Sequence, residues 1–248
     1  MRFVTKQSLT VCLSMFSLAV TLLSPLQTAW AKQAIRVGDP LSFSKSTPEK
    51  ILLLGSSVAD GWKDTVGGGY LMRTLRYLQH RDHTTFDVIN RTVPGQGALK
   101  LSGQIPGWIQ EAHPSIVVIA WGGLDDAYAH TSMPVFRALI AQEIQLSIAM
   151  NAKVFVITPP ISKASYTQFL VQQPQYLDAE MQVARQMKNP NVYVFDVFDQ
   201  MKRVLQRHHE TYVPFMADGW HPNTRGHALA ARLLIHDINQ FVQTPSIS

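Results

Sequence analysis

Five short apolar runs between residues 51 and 195 constrain the fold of this chain more than any other sequence feature. They comprise residues 51–54, 86–89, 116–121, 154–158 and 192–195, are rich in valine and isoleucine, and lack polar alternation. A strand with one face in water alternates polar and apolar residues, whereas a strand buried on both faces does not. The runs therefore predict a parallel sheet that is covered by helices on both faces.

The stretches between these runs have helical periodicity. Their apolar positions are Leu71, Leu75 and Leu78, then Phe136, Ile140, Ile144 and Ile148, then Leu177, Met181 and Ala184, and finally Leu229, Leu233 and Ile238. Ser132 and Pro134 predict the start of the second helix, which Asn151 closes, and Pro174 predicts the start of the third. Asn223 is expected to cap a last helix over about 224–242. This alternation predicts an α/β fold with a doubly wound, mainly parallel five-stranded sheet and right-handed crossovers.

The first 31 residues have the pattern of a signal peptide. Arg2 and Lys6 precede a largely apolar stretch at 9–23, and Ala29-Trp30-Ala31 provides small residues on both sides of one position. We predict cleavage after Ala31 and export to the cell envelope, the periplasm or the medium. The alternative is an uncleaved anchor, because no charge occurs between Lys6 and Lys32.

Removal of this segment leaves about 217 residues, which is enough for one domain with a full core. We expect an N-terminal arm at 32–49 and a catalytic domain at 50–248. The single cysteine, Cys12, lies in the signal segment, so the mature chain is expected to have no thiol and no disulfide. The formal charge of +5 includes Arg2 and Lys6, and no Lys/Arg cluster is present, which argues against nucleic acid as a partner.

Two short motifs supply a serine, an aspartate and a histidine in that order. Gly55-Ser56-Ser57-Val58 follows the first apolar run, and residues 218–223 read Asp-Gly-Trp-His-Pro-Asn before the last helix. An aspartate three residues before a histidine can accept the Nδ1–H of the ring, which leaves Nε2 free as a base. Ligands of such sheets lie beyond the carboxyl ends of the strands. We therefore predict Ser57, Asp218 and His221 as catalytic residues, although each motif alone is also compatible with an ordinary turn.

These motifs resemble the blocks of the SGNH, or GDSL-type, hydrolase superfamily. Ser57 occupies the nucleophile position of the first block, Gly95 ends a stretch at 90–95 that is similar to the second, and Asp218, His221 and Pro222 match the last. The resemblance implies a three-layer α/β/α sandwich of flavodoxin-like topology, ester or acyl substrates, no cofactor, and an oxyanion hole formed by the Ser57 and Gly95 N–H groups.

The third block departs from the family pattern. Where the family has an Asn whose side chain donates to the oxyanion, an ungapped alignment places Leu124 and a shift of one residue places Asp125. Leucine has no donor, and an ionised aspartate repels an oxyanion. A backbone N–H of the Gly122-Gly123 turn could substitute, Asp125 could be protonated, or the activity could be weak. Ser56, which replaces the family's aspartate in the first block, lies beside the nucleophile.

Other side chains near these motifs allow more than one interpretation. Trp62 and Trp220 flank the two catalytic motifs and are expected to bind substrate, although core or rim packing explains them equally well. Asp125, Asp126 and His130 do not match the spacing of a metal site, and we expect loop acids here to be solvated.

The sequence thus predicts an exported serine ester hydrolase, an esterase or lipase that cleaves acyl or acetyl esters of small molecules or glycans through an acyl-enzyme. It is expected to be a monomer without metal, cofactor or stable membrane insertion after cleavage. The alternatives are an O-acyltransferase that acts on glycans and a catalytically weakened carbohydrate-binding relic.

Overall fold

The computed structural model describes residues 40–242. The predicted signal peptide, 1–31, and the first part of the predicted arm lie outside these residues. Within the described part of the chain, no helix is both long enough and apolar enough to cross a membrane.

A five-stranded parallel sheet forms the middle layer, as the apolar runs predicted. Its strands are β1 (Glu49–Gly55), β2 (Phe86–Asn90), β3 (Ile116–Ala120), β4 (Lys153–Ile157) and β5 (Val192–Phe195). Their order is β2-β1-β3-β4-β5, and all four pairings are parallel. This order confirms the doubly wound topology, whose switch point lies between β1 and β3.

Helices cover both faces of the sheet and complete the three-layer α/β/α sandwich. They are α1 (Ser57–Asp60), α2 (Gly69–Asp82), α3 (Ala98–Leu101), α4 (Ile105–Ala112), α5 (Leu124–Tyr128), α6 (Met133–Ala149), α7 (Gln172–Gln186), α8 (Val197–Arg207) and α9 (Thr224–Phe241). Within residues 40–242, short 3-10 turns occupy Ala164–Tyr166 and Val213–Phe215.

The absence of polar alternation in the strands follows from two separate cores. Leu52 and Val117 point into the core under α4, α6 and α7, whereas Ile51 and Val118 point into the core under α2 and α9. Because successive side chains of a strand lie on opposite faces, both faces must be apolar when both are covered.

The helix boundaries agree with most of the predicted signals. Asn223 caps α9, since its Oδ1 accepts hydrogen bonds from the N–H groups of Arg225 and Gly226. Pro174 lies in the first turn of α7. Ser132 occupies the position before α6, but its side chain makes no capping hydrogen bond.

The described residues before the sheet, from 40 onward, pack against the rest of the domain. Leu41 is fully buried, and its N–H donates to the Phe241 carbonyl at 2.7 Å. Glu49 belongs to β1, and its side chain accepts a hydrogen bond from the N–H of Ser44. Described residues of this segment are therefore part of the domain core and of its sheet.

Candidate active site

The turn between β1 and α1 places Ser57 at the carboxyl edge of the sheet. β1 ends at Gly55, and α1 begins two residues later at Ser57. A Cβ atom at Gly55 would lie 2.6 Å from the Ala120 carbonyl oxygen of the neighbouring strand, so the close approach requires glycine. Ser57 is the first residue of α1, where the backbone N–H has no intrahelical acceptor.

The loop before α9 is held in one conformation by its own hydrogen bonds. Met216 and Pro222 form an antiparallel bridge, and the Ala217 N–H donates to the His221 carbonyl at 3.0 Å. Asp218 Oδ1 accepts the backbone N–H groups of Trp220 and His221, each at 2.8 Å. These backbone hydrogen bonds therefore fix the orientation of the Asp218 carboxylate independently of the His221 ring.

Asp218, His221 and Ser57 form a continuous hydrogen-bonded chain. The Nδ1 atom of His221 lies 2.9 Å from Asp218 Oδ1 and 3.0 Å from Oδ2, and Nε2 lies 3.0 Å from Ser57 Oγ. A carboxylate only accepts, so the network assigns the proton to Nδ1, and Nε2 can accept the Ser57 hydroxyl proton. The arrangement can deprotonate a serine nucleophile.

The pKa of Asp218 lies below its usual value. Partial burial by itself raises this pKa, but hydrogen bonds from the Trp220 N–H and from the ring and backbone of His221 outweigh it. Asp218 is therefore ionised at neutral pH, the state in which it can orient and stabilise an imidazolium.

Gly95 lies in a turn that hydrogen bonds tie to the end of β1. The Val93 N–H donates to the Gly55 carbonyl at 3.0 Å, and the Gln96 N–H donates back to the Val93 carbonyl at 3.2 Å. Gly95 is exposed and has φ +75°, and a Cβ there would meet no atom within 4 Å. Gly95 thus lies in an exposed turn that is hydrogen-bonded to the end of β1.

Leu124 and Asp125, the two candidates for the third block, have different surroundings. Leu124 is buried in the core under α6 and α7. Asp125 is half-buried, and its Oδ2 accepts a hydrogen bond from Ser56 Oγ at 2.6 Å. The two family departures, at Ser56 and in the third block, are therefore in direct contact.

The expectation that the acids at 125–126 are solvated loop residues is wrong for Asp126, which lies in α5 and is buried. Its side chain is buried and accepts hydrogen bonds from the Ala98 N–H and from Thr131 Oγ1, each at 2.9 Å. Burial raises the pKa of Asp126 despite these bonds. Asp126 thus accepts a hydrogen bond from a backbone N–H at the N-terminus of α3. His130 is exposed. Within residues 40–242, no three His, Cys, Asp or Glu side chains are grouped as metal ligands would be.

Trp62 and Trp220 both lie beside the Ser57 and His221 motifs, but they have different exposure. Trp62 is 43% exposed, and its ring centroid lies 6.0 Å from that of His221. Trp220 is partly buried, with edge-to-face contacts to Phe169 and Tyr128 at 5.4 and 5.8 Å. Trp62 is thus exposed on the surface, whereas Trp220 is held by its contacts with neighbouring aromatic rings.

A small open groove runs beside Ser57. Its lining residues are Ser56, Ser57, Val58, Trp121, Gly122, Leu124, Asp125, Pro159, Pro160, Ser162, Gln173 and Trp220. Gln173, which the sequence analysis did not identify, is almost fully buried, and its Nε2 donates to the Gly122 carbonyl at 2.9 Å. Helical periodicity marks apolar faces and contains no signal for a buried glutamine that contacts a loop.

Two buried acids, Glu143 and Glu180, were also not identified by the sequence analysis. The Trp121 indole N–H donates to Glu143 Oε2 at 2.9 Å, and Trp121 lines the groove. Burial raises the pKa of Glu143 to about 8. The pKa of Glu180 is also raised, by burial and by the nearby Glu143 carboxyl. Burial therefore favours the neutral form of both carboxyl groups.

Comparison with known proteins agrees with the fold and with the sequence motifs. A family model described as GDSL-like Lipase/Acylhydrolase family matches residues 53–229. No curated protein sequence matches the chain.

Among solved structures, the acetylxylan esterase Axe2 from Geobacillus stearothermophilus is 18% identical. That alignment covers 85% of this chain and all of Axe2, with a TM-score of 0.65. LAE5, an alpha/beta hydrolase enzyme from the metagenome of Lake Arreo, Spain, is 17% identical over 83% of this chain and all of its own, with a TM-score of 0.65. At this level of identity the two structures establish the fold.

Proposed function

This chain belongs to the GDSL-like Lipase/Acylhydrolase family and is a carboxylic ester hydrolase by that membership, and we propose that Ser57, His221 and Asp218 are its catalytic triad. The observation that supports this most directly is the unbroken hydrogen-bonded chain from Asp218 through His221 to Ser57 Oγ. The rest of the proposal follows from the chemistry available to these three side chains.

In the acylation half-reaction, Ser57 Oγ attacks the ester carbonyl carbon while its proton passes to His221 Nε2. The tetrahedral intermediate collapses when the C–O bond to the alcohol breaks, and the leaving alkoxide takes the proton from Nε2. Asp218, ionised and hydrogen-bonded to Nδ1, stabilises the transient imidazolium.

In the deacylation half-reaction, a water molecule gives a proton to His221 Nε2 and attacks the acyl-enzyme carbonyl. The bond to Ser57 Oγ breaks, Oγ takes the proton back, and the carboxylic acid leaves. The same base therefore acts as a base and then as an acid in each half.

The negative charge on the intermediate requires donors. We assign them to the Ser57 N–H, at the first position of α1, and to the Gly95 N–H in its exposed turn. Asp125 is a poor candidate, because its carboxylate accepts from Ser56 and an ionised acid would repel the oxyanion.

For the substrate, we propose a short acyl group, such as acetyl, on a carbohydrate or another small molecule. The similarity in fold to an acetylxylan esterase is consistent with this. The exposed Trp62 beside His221 could stack on a sugar ring.

We further propose that the protein is exported and begins at Lys32 after cleavage behind Ala31. N-terminal sequencing of material from the medium or periplasm tests this. A chain that retains Met1 in the membrane fraction would establish the anchor instead.

The triad is tested by labelling and turnover together. Wild-type protein should hydrolyse 4-nitrophenyl acetate and form a fluorophosphonate adduct on Ser57. Ser57→Ala should abolish both, whereas the matched neighbour Ser56→Ala should still be labelled at Ser57. An adduct mapped to Ser56, or turnover that survives in Ser57→Ala, would refute the assignment.

The same assay separates the two alternatives. An O-acyltransferase would transfer acetyl to an added glycan faster than to water. A binding relic would give neither turnover nor adduct while remaining folded.

A further inference from the structure

The groove beside Ser57 contains a buried acceptor that the protein does not use. Gln173 is 1% exposed, and its Nε2 donates to the Gly122 carbonyl. Its Oε1 is buried and accepts no hydrogen bond from any residue in the range 40–242. An unpaired buried acceptor costs free energy, so its persistence calls for a physical reason.

The orientation of this amide is imposed by its neighbour. If the two ends of the Gln173 amide were exchanged, Oε1 would face the Gly122 carbonyl oxygen at hydrogen-bond distance, and two acceptors would repel. The contact with Gly122 therefore fixes Oε1 as the end of the amide that has no partner. Because Gln173 lines the groove, this acceptor can serve a ligand there.

A second acceptor lines the same groove. Asp125 Oδ2 accepts from Ser56 Oγ, which holds the carboxylate in place, and no described residue donates to Oδ1. The remaining walls are mostly apolar, including Trp121, Leu124, Pro159, Pro160 and Trp220. The groove thus offers fixed acceptors against apolar walls, which suits a ligand with hydroxyl donors on a carbon skeleton.

We propose that this groove is a subsite for a hydroxyl-bearing portion of the ester substrate, which donates to Gln173 Oε1 and to the Asp125 carboxylate. The inference rests on the proposed function and narrows it, because it selects acyl esters of sugars, polyols or hydroxy acids over purely hydrocarbon esters. A negatively charged group would be repelled by Asp125, and a bare alkyl group would leave Oε1 unpaired.

The first test uses wild-type protein and two isosteric pairs of esters. 2-Hydroxyethyl acetate against propyl acetate reports a hydroxyl on the alcohol side, and ethyl glycolate against ethyl propionate reports one on the acyl side. Each kcat/KM is divided by the hydroxide-catalysed rate of the same ester, so that intrinsic reactivity cancels. We expect a preference of about tenfold or more for the hydroxyl ester in one pair, and that pair identifies the side. Ratios below twofold in both pairs overturn the subsite.

The second test assigns the preference to residues. Gln173→Met keeps side-chain length and removes the acceptor, and it should bring the ratio below about threefold. Asp125→Asn removes the charge and should lower the ratio less. Gln186→Met, at the exposed end of the same helix, is the matched control and should keep the wild-type ratio. Because the ratio compares two esters on one variant, a general loss of activity does not imitate the effect.

The remaining outcomes are distinguishable. A thermal midpoint within a few degrees of wild type shows that a variant is folded, and folded Gln173→Met and Asp125→Asn proteins that both retain the full preference overturn the residue assignment. Hydrolysis of 4-nitrophenyl acetate without any hydroxyl preference overturns the subsite alone. Absence of Ser57-dependent hydrolysis of every ester overturns the proposed function, and the subsite with it.

Discussion

Asp218 orients the proposed base, His221, through one ring nitrogen. Its two oxygens lie 2.9 and 3.0 Å from Nδ1, and they favour the tautomer in which Nε2 is the base. An amide at this position could present its NH₂ group to the ring and stabilise the opposite tautomer.

We therefore expect Asp218→Asn to lower kcat by about 10⁴ while leaving the fold intact. Steady-state hydrolysis of 4-nitrophenyl acetate, with a thermal midpoint for each protein, provides the measurement. Asp87→Asn, an exposed position on β2, should behave as wild type. Near-normal turnover of Asp218→Asn would mean that another carboxylate orients the histidine.

Glu143 links pH to stability at a single residue. Its pKa rises from 4.5 to about 8 in the folded protein because it is buried, so the folded state binds a proton that the unfolded state releases above pH 4.5. The contribution of Glu143 to the free energy of unfolding is therefore fully present below about pH 4.5 and is lost as the pH rises through about 8.

Glu143→Gln should therefore flatten the fall in stability between pH 5 and 8, because the amide stays neutral and can still accept from the Trp121 indole N–H. Urea unfolding at several pH values measures the effect. Glu111→Gln, exposed on α4, should retain the wild-type pH dependence. An unchanged slope in Glu143→Gln would show that Glu143 is ionised in the folded protein.

At the scale of elements, the start of α9 also fixes the loop that contains Asp218 and His221. Asn223 Oδ1 accepts from the first turn of α9, while its Nδ2 donates to the carbonyls of Pro214 and Met216 at 3.1 and 3.2 Å. One side chain thus joins the helix to the loop that precedes it.

Two substitutions separate these roles. Asn223→Ala removes the cap and both donations, and it should cost about 1–2 kcal/mol of unfolding free energy as well as activity. Asn223→Asp keeps an oxygen for the cap but has no NH₂ group. It should therefore lose less stability than Asn223→Ala, while its kcat should fall by a similar factor. Thermal melts and ester turnover on both variants check this. Equal stability losses, with turnover unaffected in the aspartate variant, would show that the loop does not depend on Asn223.

Across the whole molecule, the segment before the sheet and the last helix share one core. Leu41 is fully buried in the core under α2 and α9 and forms a parallel bridge with Val242. Residues near opposite ends of the described chain therefore pack together.

Leu41→Ala should destabilise the protein by about 2–4 kcal/mol, because it leaves a cavity in this core. Leu99→Ala is the matched control, since Leu99 is 44% exposed, and it should change stability by less than about 0.5 kcal/mol. Chemical denaturation of both variants provides the comparison, and equal effects would show that the segment before β1 does not stabilise the domain.

The features that the sequence determined by itself are local or periodic. Strand and helix positions could be predicted because burial on two faces imposes an unbroken apolar run, and burial on one face imposes a helical repeat. The contact between Asp218 and His221 was equally predictable, because they lie three positions apart in one loop.

Tertiary structure alone decided the contacts between distant residues. Ser56 meets Asp125 across 69 positions, and Gln173 meets the Gly122 carbonyl across 51. Asp126 and Glu143, polar residues of two helices, are buried only because neighbouring elements cover them. Side-chain type does not encode which distant group will satisfy a buried polar atom. That choice is made when the packed layers bring the partners together and exclude water from between them.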